Sequence, residues 1–326
     1  METKEQAALR LKNKDISASA GRLTSVQFYV PVEKENKVAI LDVVSGKVAG
    51  QIKVGEAPTN VVFSSTMRDA YVANQQSSTV SFIDTVALKE TKEVEVGALP
   101  HGLILTPDNK TLYVATVADS FISVIDTKTG AVASTIDLGE RARTNYLAYS
   151  NRKLYVSDHE NSKVYVINTE TNKQERTIET GQLPRAVHVS KDGKKLFVPT
   201  AKAGRLEIYD TETGSRIAAV PGIAGATDVV VTEDGSTAVV TGMEANAVSF
   251  VDLRGQKVTA AIGGLPGAKH LAFNRLENRV YVTLSDSDEV AVLDMKNRTV
   301  ENRIKVGAKP HGISIKALPG IGGSCG

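Results

Sequence analysis

Residues 101–138 read HGLILTPDNKTLYVATVADSFISVIDTKTGAVASTIDL. The stretches HGLILT, LYVAT, FISVID and AVASTIDL are rich in Val, Ile, Tyr and Thr and alternate in polarity, which predicts short β-strands. The breaks between them are chemically explicit. PDNK links the first pair and TKTG the last, offering Asn or Gly where a tight turn needs positive φ. One unit therefore predicts four antiparallel strands joined by turns.

The unit recurs along the chain. The aspartate that closes its third strand lies at Asp42, Asp84, Asp126, Asp210, Asp252 and Asp294, a step of 42, with Asn168 in the remaining slot. An aromatic keeps the same step at Tyr29, Tyr71, Tyr113, Tyr155, Phe197 and Tyr281, and Val239 replaces it once. On this step the chain holds seven units without an insertion. Seven four-stranded units of this length predict an all-β fold, a seven-bladed β-propeller of four-stranded antiparallel blades. The first unit starts at a second strand, FYVPV, and the last ends on a first strand, HGISIK from His311 to Lys316. The C-terminal strand is thus expected to complete the N-terminal blade, which removes free sheet edges. The propeller is assigned to residues 25–317, between an N-terminal arm, 1–24, and a Gly-rich tail, 318–326. The aspartate column reads as structural, each carboxylate accepting from the backbone of the turn that follows.

Composition narrows the function classes. The 39 basic and 37 acidic side chains leave a formal charge of +2, so no global field marks a nucleic-acid binder. The single cysteine, Cys325, allows no intrachain disulfide and no cysteine zinc site, and its free thiol leaves an intermolecular linkage open. No apolar run is long enough to span a membrane, and the N-terminal residues lack the apolar core of a secretory leader. Localisation is left open on these grounds.

The openings YVAN, YVAT, YVSD, FVPT and YVTL, each followed by an apolar stretch, and the IDT and VGxxPHG phrases resemble the YVTN β-propeller repeats over about residues 28–317. The resemblance implies a bacterial or archaeal surface-layer, adhesion or accessory module, in the periplasm or at the cell surface where a leader has been removed. Related propellers include lactonases and a streptogramin lyase. The chain has no tryptophan, which argues against WD40 repeats and against quinone-dependent dehydrogenase propellers, and it has no C-x-x-C-H haem attachment stretch.

A fixed step allows comparison of the units with one another. The column of His101 reads Thr59, His101, Arg143, Arg185, Thr227, Lys269 and His311, a ring expected at one mouth of the central channel. It contains no acid, so a positive potential is expected there that gathers anions. Two positions on, Asn145 is the one polar residue in an apolar column, and Tyr146 and His188 break the next one. The loop SDHENSK places Asp158, His159 and Glu160 near Arg143, and Asp228 lies beside Thr227.

These residues support a non-enzymatic binding or scaffold propeller that recognises a partner protein or small anionic ligand through Arg143, Arg185, His101, His311, Lys269, Asn145, Tyr146, Asp158 and Asp228. The alternative is a lactonase- or lyase-type enzyme at the same mouth, with His188 or His159 as base and the arginines holding a carboxylate or oxyanion. No cofactor is expected and no metal ligands are assigned. Asn145 and Asp228 alone would favour a divalent ion in the channel.

Overall fold

The computed structural model describes residues 26–316, so the N-terminal arm, the Gly-rich tail and Cys325 lie outside the described residues. Seven four-stranded antiparallel sheets make up the fold. Blade 1 is ordered Ser314–Lys316, Gln27–Val32, Lys37–Asp42 and Lys47–Lys53, with Gln27, Phe28 and Tyr29 opposite Lys316, Ile315 and Ser314. The last strand of the chain thus closes the first blade. Blades 2 to 7 each follow in sequence order, from Pro58–Phe63 as the innermost strand of blade 2 to Thr299–Lys305 as the outermost strand of blade 7.

Burial follows strand position. The second and third strands are covered by neighbouring blades on both faces, so Leu112 to Ala115 and Ile122 to Ile125 are buried without alternation. The outermost strand faces solvent, and in Ala131–Asp137 only Ile136 is buried. Its equivalents Ile52, Val94, Ile178, Val220 and Ile304 are buried at the same 42-residue step. The aromatic column packs between blades, with Tyr281 stacked on Phe28 and Tyr29 edge-on to Phe63.

The aspartates hold their turns. Asp42 accepts from Ser45 N at 2.7 Å, Asp126 from Thr129 N at 2.7 Å, Asp210 from Thr213 N at 2.7 Å and Asp294 from Asn297 N at 2.6 Å. Asn168 does the same for Glu170 through its side-chain oxygen. The Asx geometry explains why an acid recurs at each of these bends.

One feature departs from the strict step. In blades 2, 3, 6 and 7 the innermost strand carries a bulge near its start, for example Pro58↔Asn74 followed by Val61↔Val72, and Pro100↔Thr116 followed by Leu103↔Val114. In blade 4 the pairs are Thr144↔Asp158 and Leu147↔Val156, whereas the 42-residue step would put residues 142 and 145 opposite those partners. The innermost strand of blade 4, Thr144–Ser150, is therefore displaced by two residues. The hairpin after it recovers the register. Ser150 pairs with Lys153 around Asn151 and Arg152, whose φ values of 50° and 62° fit a two-residue type I′ turn. The expectation of seven units without an insertion is corrected here: two residues are gained before the strand and two are lost after it.

Candidate functional site

The displacement decides which side chains reach the channel. With it applied, the residue of blade 4 that matches His101 is Asn145 rather than Arg143, and Tyr146 takes the position of Asp228 and His270. A pocket of about 140 Å³ opens at this mouth, and the corrected ring lines it: His101, Asn145, Arg185, Thr227, Lys269 and His311. Tyr146, His270 and Met243 complete the wall. The bulges are what aim two consecutive residues of a strand toward one end of the channel, since both oppose a single residue of the partner strand.

Neighbouring innermost strands approach closely here. A Cβ on Gly102 would lie 2.5 Å from the Asn145 carbonyl oxygen, and one on Gly312 would lie 2.6 Å from that of Thr59. The glycine in each PHG phrase is therefore required by the spacing of the ring. The histidines beside them are packed ring to ring: His101 and His311 have centroids 4.8 Å apart, His311 and His270 are stacked at 5.2 Å, and Tyr146 lies edge-on to His101 at 4.7 Å.

A hydrogen-bonded chain crosses the channel. Asp228 Oδ2 lies 2.9 Å from His270 Nδ1, and His270 Nε2 lies 2.5 Å from Tyr146 Oη. An ionised carboxylate only accepts, so Nδ1 carries the imidazole proton, Nε2 accepts, and the Tyr146 hydroxyl donates. Asp228 is itself held by the backbone, accepting from Val229 N at 2.8 Å and Leu271 N at 3.3 Å. The order is that of a hydroxyl, an imidazole and an orienting acid.

Burial sets the charges. It pushes His101 and His311 well below the usual histidine range, helped by the Lys269 ammonium, so both imidazoles are neutral near pH 7. Burial also lowers His270, against the opposing pull of Asp228. Lys269 is brought down to about 8 by burial, partly offset by Glu33. Burial holds the Tyr146 hydroxyl well above its ordinary value, with Asp228 adding to the effect, so it stays a phenol. Neither Lys269 nor Arg185 has a carboxylate at ion-pair distance among the described residues. Three buried polar atoms in the wall, His101 Nδ1, Asn145 Oδ1 and His311 Nδ1, have no hydrogen-bond partner among the described residues. Such atoms cost about 1–3 kcal/mol each when left unmatched.

The remaining sequence candidates stand outside the pocket wall. The Arg143 guanidinium turns to the carbonyls of Ala142 and Glu140, at 2.6 and 3.5 Å. Asp158 is fully buried and accepts from Arg143 N, Asn161 and Tyr165 Oη, which organises its loop. His159 Nδ1 lies 3.0 Å from the Arg143 carbonyl, and His188 packs obliquely on Phe197. Burial lowers both imidazoles. His270, which the sequence sets beside Lys269 at the mouth without a firm role, lines the pocket and shares a column with Asp228, its hydrogen-bond partner. No group of three or more His, Cys, Asp or Glu arranged to hold a metal occurs among the described residues.

The sequence profile of the YNCE-like beta-propeller family matches residues 60–141 and 139–317. The chain belongs to that family. No curated protein sequence matches it. The YNCE-like propeller is similar in structure to a chain of Kuenenia stuttgartiensis hydrazine synthase, with a TM-score of 0.72 and 22% identity over 78% of this chain and 88% of that one. It is also similar to a functionally unknown protein from Desulfotomaculum acetoxidans DSM 771, with a TM-score of 0.75 and 17% identity over 89% and 98% of the two chains. The dihydro-heme d1 dehydrogenase NirN in complex with DHE gives a TM-score of 0.69 and 16% identity over 90% and 75%. At these identities the likeness is one of fold. Among the described residues of this YNCE-like propeller, no helix is long and apolar enough to cross a membrane.

Proposed function

We propose that this propeller binds a small organic anion at the channel mouth. The observation that carries the reading is the pairing of two cations without acidic partners, Arg185 and Lys269, with a pocket wall of neutral imidazoles and unmatched polar atoms. A cavity of roughly 150 Å³ accepts benzene, so about 140 Å³ suits a ligand of about six non-hydrogen atoms. Asp228 is committed to His270, so Arg185 and Lys269 are left to pair with the carboxylate of a ligand. The small volume of the pocket favours a small molecule over a protein partner.

Calorimetric titration with pyruvate and with its uncharged analogue pyruvamide tests the reading. The anion is expected to bind and the amide to bind at least tenfold more weakly, since a desolvated charge-assisted contact contributes about 1.5–3 kcal/mol. Arg185→Gln is expected to lower pyruvate affinity by at least tenfold. Equal affinity for acid and amide, or an unchanged Arg185→Gln protein, would count against an anion site.

A further inference from the structure

The chain Asp228–His270–Tyr146 does more than binding requires. A binding site needs donors toward the anion, yet here a hydroxyl is committed to an imidazole whose other nitrogen is committed to a carboxylate. These three side chains come from blades 4, 6 and 7, so the arrangement is assembled across the channel and is not a product of local sequence. Tyr146 is half-buried and lines the same pocket as Arg185 and Lys269. Resting on the anion-binding reading above, we propose that the mouth is a proton-transfer site for small 2-oxo carboxylates, in which Tyr146 takes a proton from the carbon next to the keto group.

The step balances within the pocket. Arg185 holds the carboxylate, and the Lys269 ammonium faces the keto oxygen, where negative charge develops. The C3–H proton passes to Tyr146 Oη while the phenolic proton passes to His270 Nε2. The C–H electron pair becomes the enolate, held by Lys269. His270 becomes an imidazolium paired with Asp228, which is the role an orienting acid performs beside a histidine base. The reverse transfer restores the keto acid, and no other reactant is consumed. Tyr146 never has to exist as a free phenolate, which its burial opposes, because it gains one proton as it gives up another. The class of substrate follows from two constraints: a carboxylate for the cations, and a C–H made acidic by an adjacent carbonyl, in about six non-hydrogen atoms. Pyruvate meets both.

The test follows loss of the pyruvate methyl signal in D₂O by proton NMR, alongside calorimetric binding of pyruvate, for the wild type and for Tyr146→Phe, Asp228→Asn and Arg185→Gln. The wild type is expected to accelerate exchange in proportion to protein concentration. Tyr146→Phe keeps the ring and is expected to bind pyruvate within about twofold of wild type while exchange falls by about 100-fold or more, the range of a lost general base. Asp228→Asn is expected to slow exchange and to move its pH profile, because Asp228 acts through His270 and its loss alters the basicity of the relay. Arg185→Gln is expected to lose binding and exchange together. Wild type that binds pyruvate without exchange above buffer, or Tyr146→Phe that exchanges as fast as wild type, overturns the proton-transfer site and leaves the binding reading standing. Wild type that does not bind pyruvate overturns both.

Discussion

Tyr146 and His270 stand 124 residues apart in sequence and meet across the channel with Oη 2.5 Å from Nε2. The contact joins blade 4 to blade 7, so it braces the ring as well as ordering the relay. Tyr146→Phe removes the donor and leaves Nε2 without it. A loss of about 0.5–1.5 kcal/mol in denaturant unfolding is expected. Nitrogen NMR of the wild-type histidines checks the donor order independently. His270 is expected as the Nδ1–H tautomer, and this is expected to persist in Tyr146→Phe because Asp228 is still present. An Nε2–H tautomer in the wild type would reverse the chain and remove the base.

Gly102 supports the ring by having no side chain. A Cβ there would lie 2.5 Å from the Asn145 carbonyl oxygen and 2.9 Å from Tyr146 Cα, both backbone atoms that cannot turn aside. Gly102→Ala is expected to destabilise the fold by about 1–3 kcal/mol, the range for inserting a methyl group into a filled space. Gly50→Ala is the matched control, since its nearest neighbour would be Ile40 Cδ1 at an ordinary 3.6 Å. Urea midpoints for the two variants are expected to move apart, with the first falling and the second unchanged or raised.

The fold was legible because the same chemistry is written seven times. Asp42 and its equivalents mark one turn, and the Tyr29 column marks one packing layer, so the period, the strand count and the closure by the C-terminal strand all follow from spacing. The ring at the mouth was legible at His101, Arg185, Thr227, Lys269 and His311, which line one pocket. It was misread at blade 4, where the columns place Arg143 in the ring and Tyr146 two positions beyond its true equivalent. The displacement leaves its trace in the hairpin: SNRK closes on the two residues Asn151 and Arg152, whereas PDNK and KDGK each span the whole loop between Thr106 and Thr111 and between Ser190 and Lys195. A gain and a loss of two residues cancel within one unit and leave the aspartate and aromatic markers on their step. The relay itself was not legible, because which rings face each other across a channel depends on where each bulge falls.

The histidines make stability depend on pH in a defined direction. All five are lowered from 6.5 by burial, so the folded protein binds fewer protons than the unfolded chain at mildly acidic pH. Their contribution is complete above 6.5 and is lost as pH falls below it, by up to about 1.4 kcal/mol per pH unit for each histidine that stays neutral. The melting temperature is expected to drop between pH 7 and pH 5.5, above the range in which carboxylates titrate. His311→Gln is expected to lessen that slope. A melting temperature that holds or rises over this interval would mean that the imidazoles are not buried in neutral form.

Lys269 gives ligand binding its own pH limit. Its ammonium is lowered from 10.5 to about 8, so in the free protein the charge is lost as pH rises through that value. Pyruvate affinity is expected to hold between pH 6.5 and pH 7.5 and then to weaken, approaching tenfold per pH unit well above the midpoint if the bound form requires the ammonium. A bound carboxylate favours the charged lysine, so the midpoint measured at saturation is expected to lie higher than in the free protein. Lys269→Gln is expected to bind more weakly at pH 7 and to lose this dependence. An affinity that declines equally in Lys269→Gln would place the titrating group elsewhere and remove Lys269 from the anion's contacts.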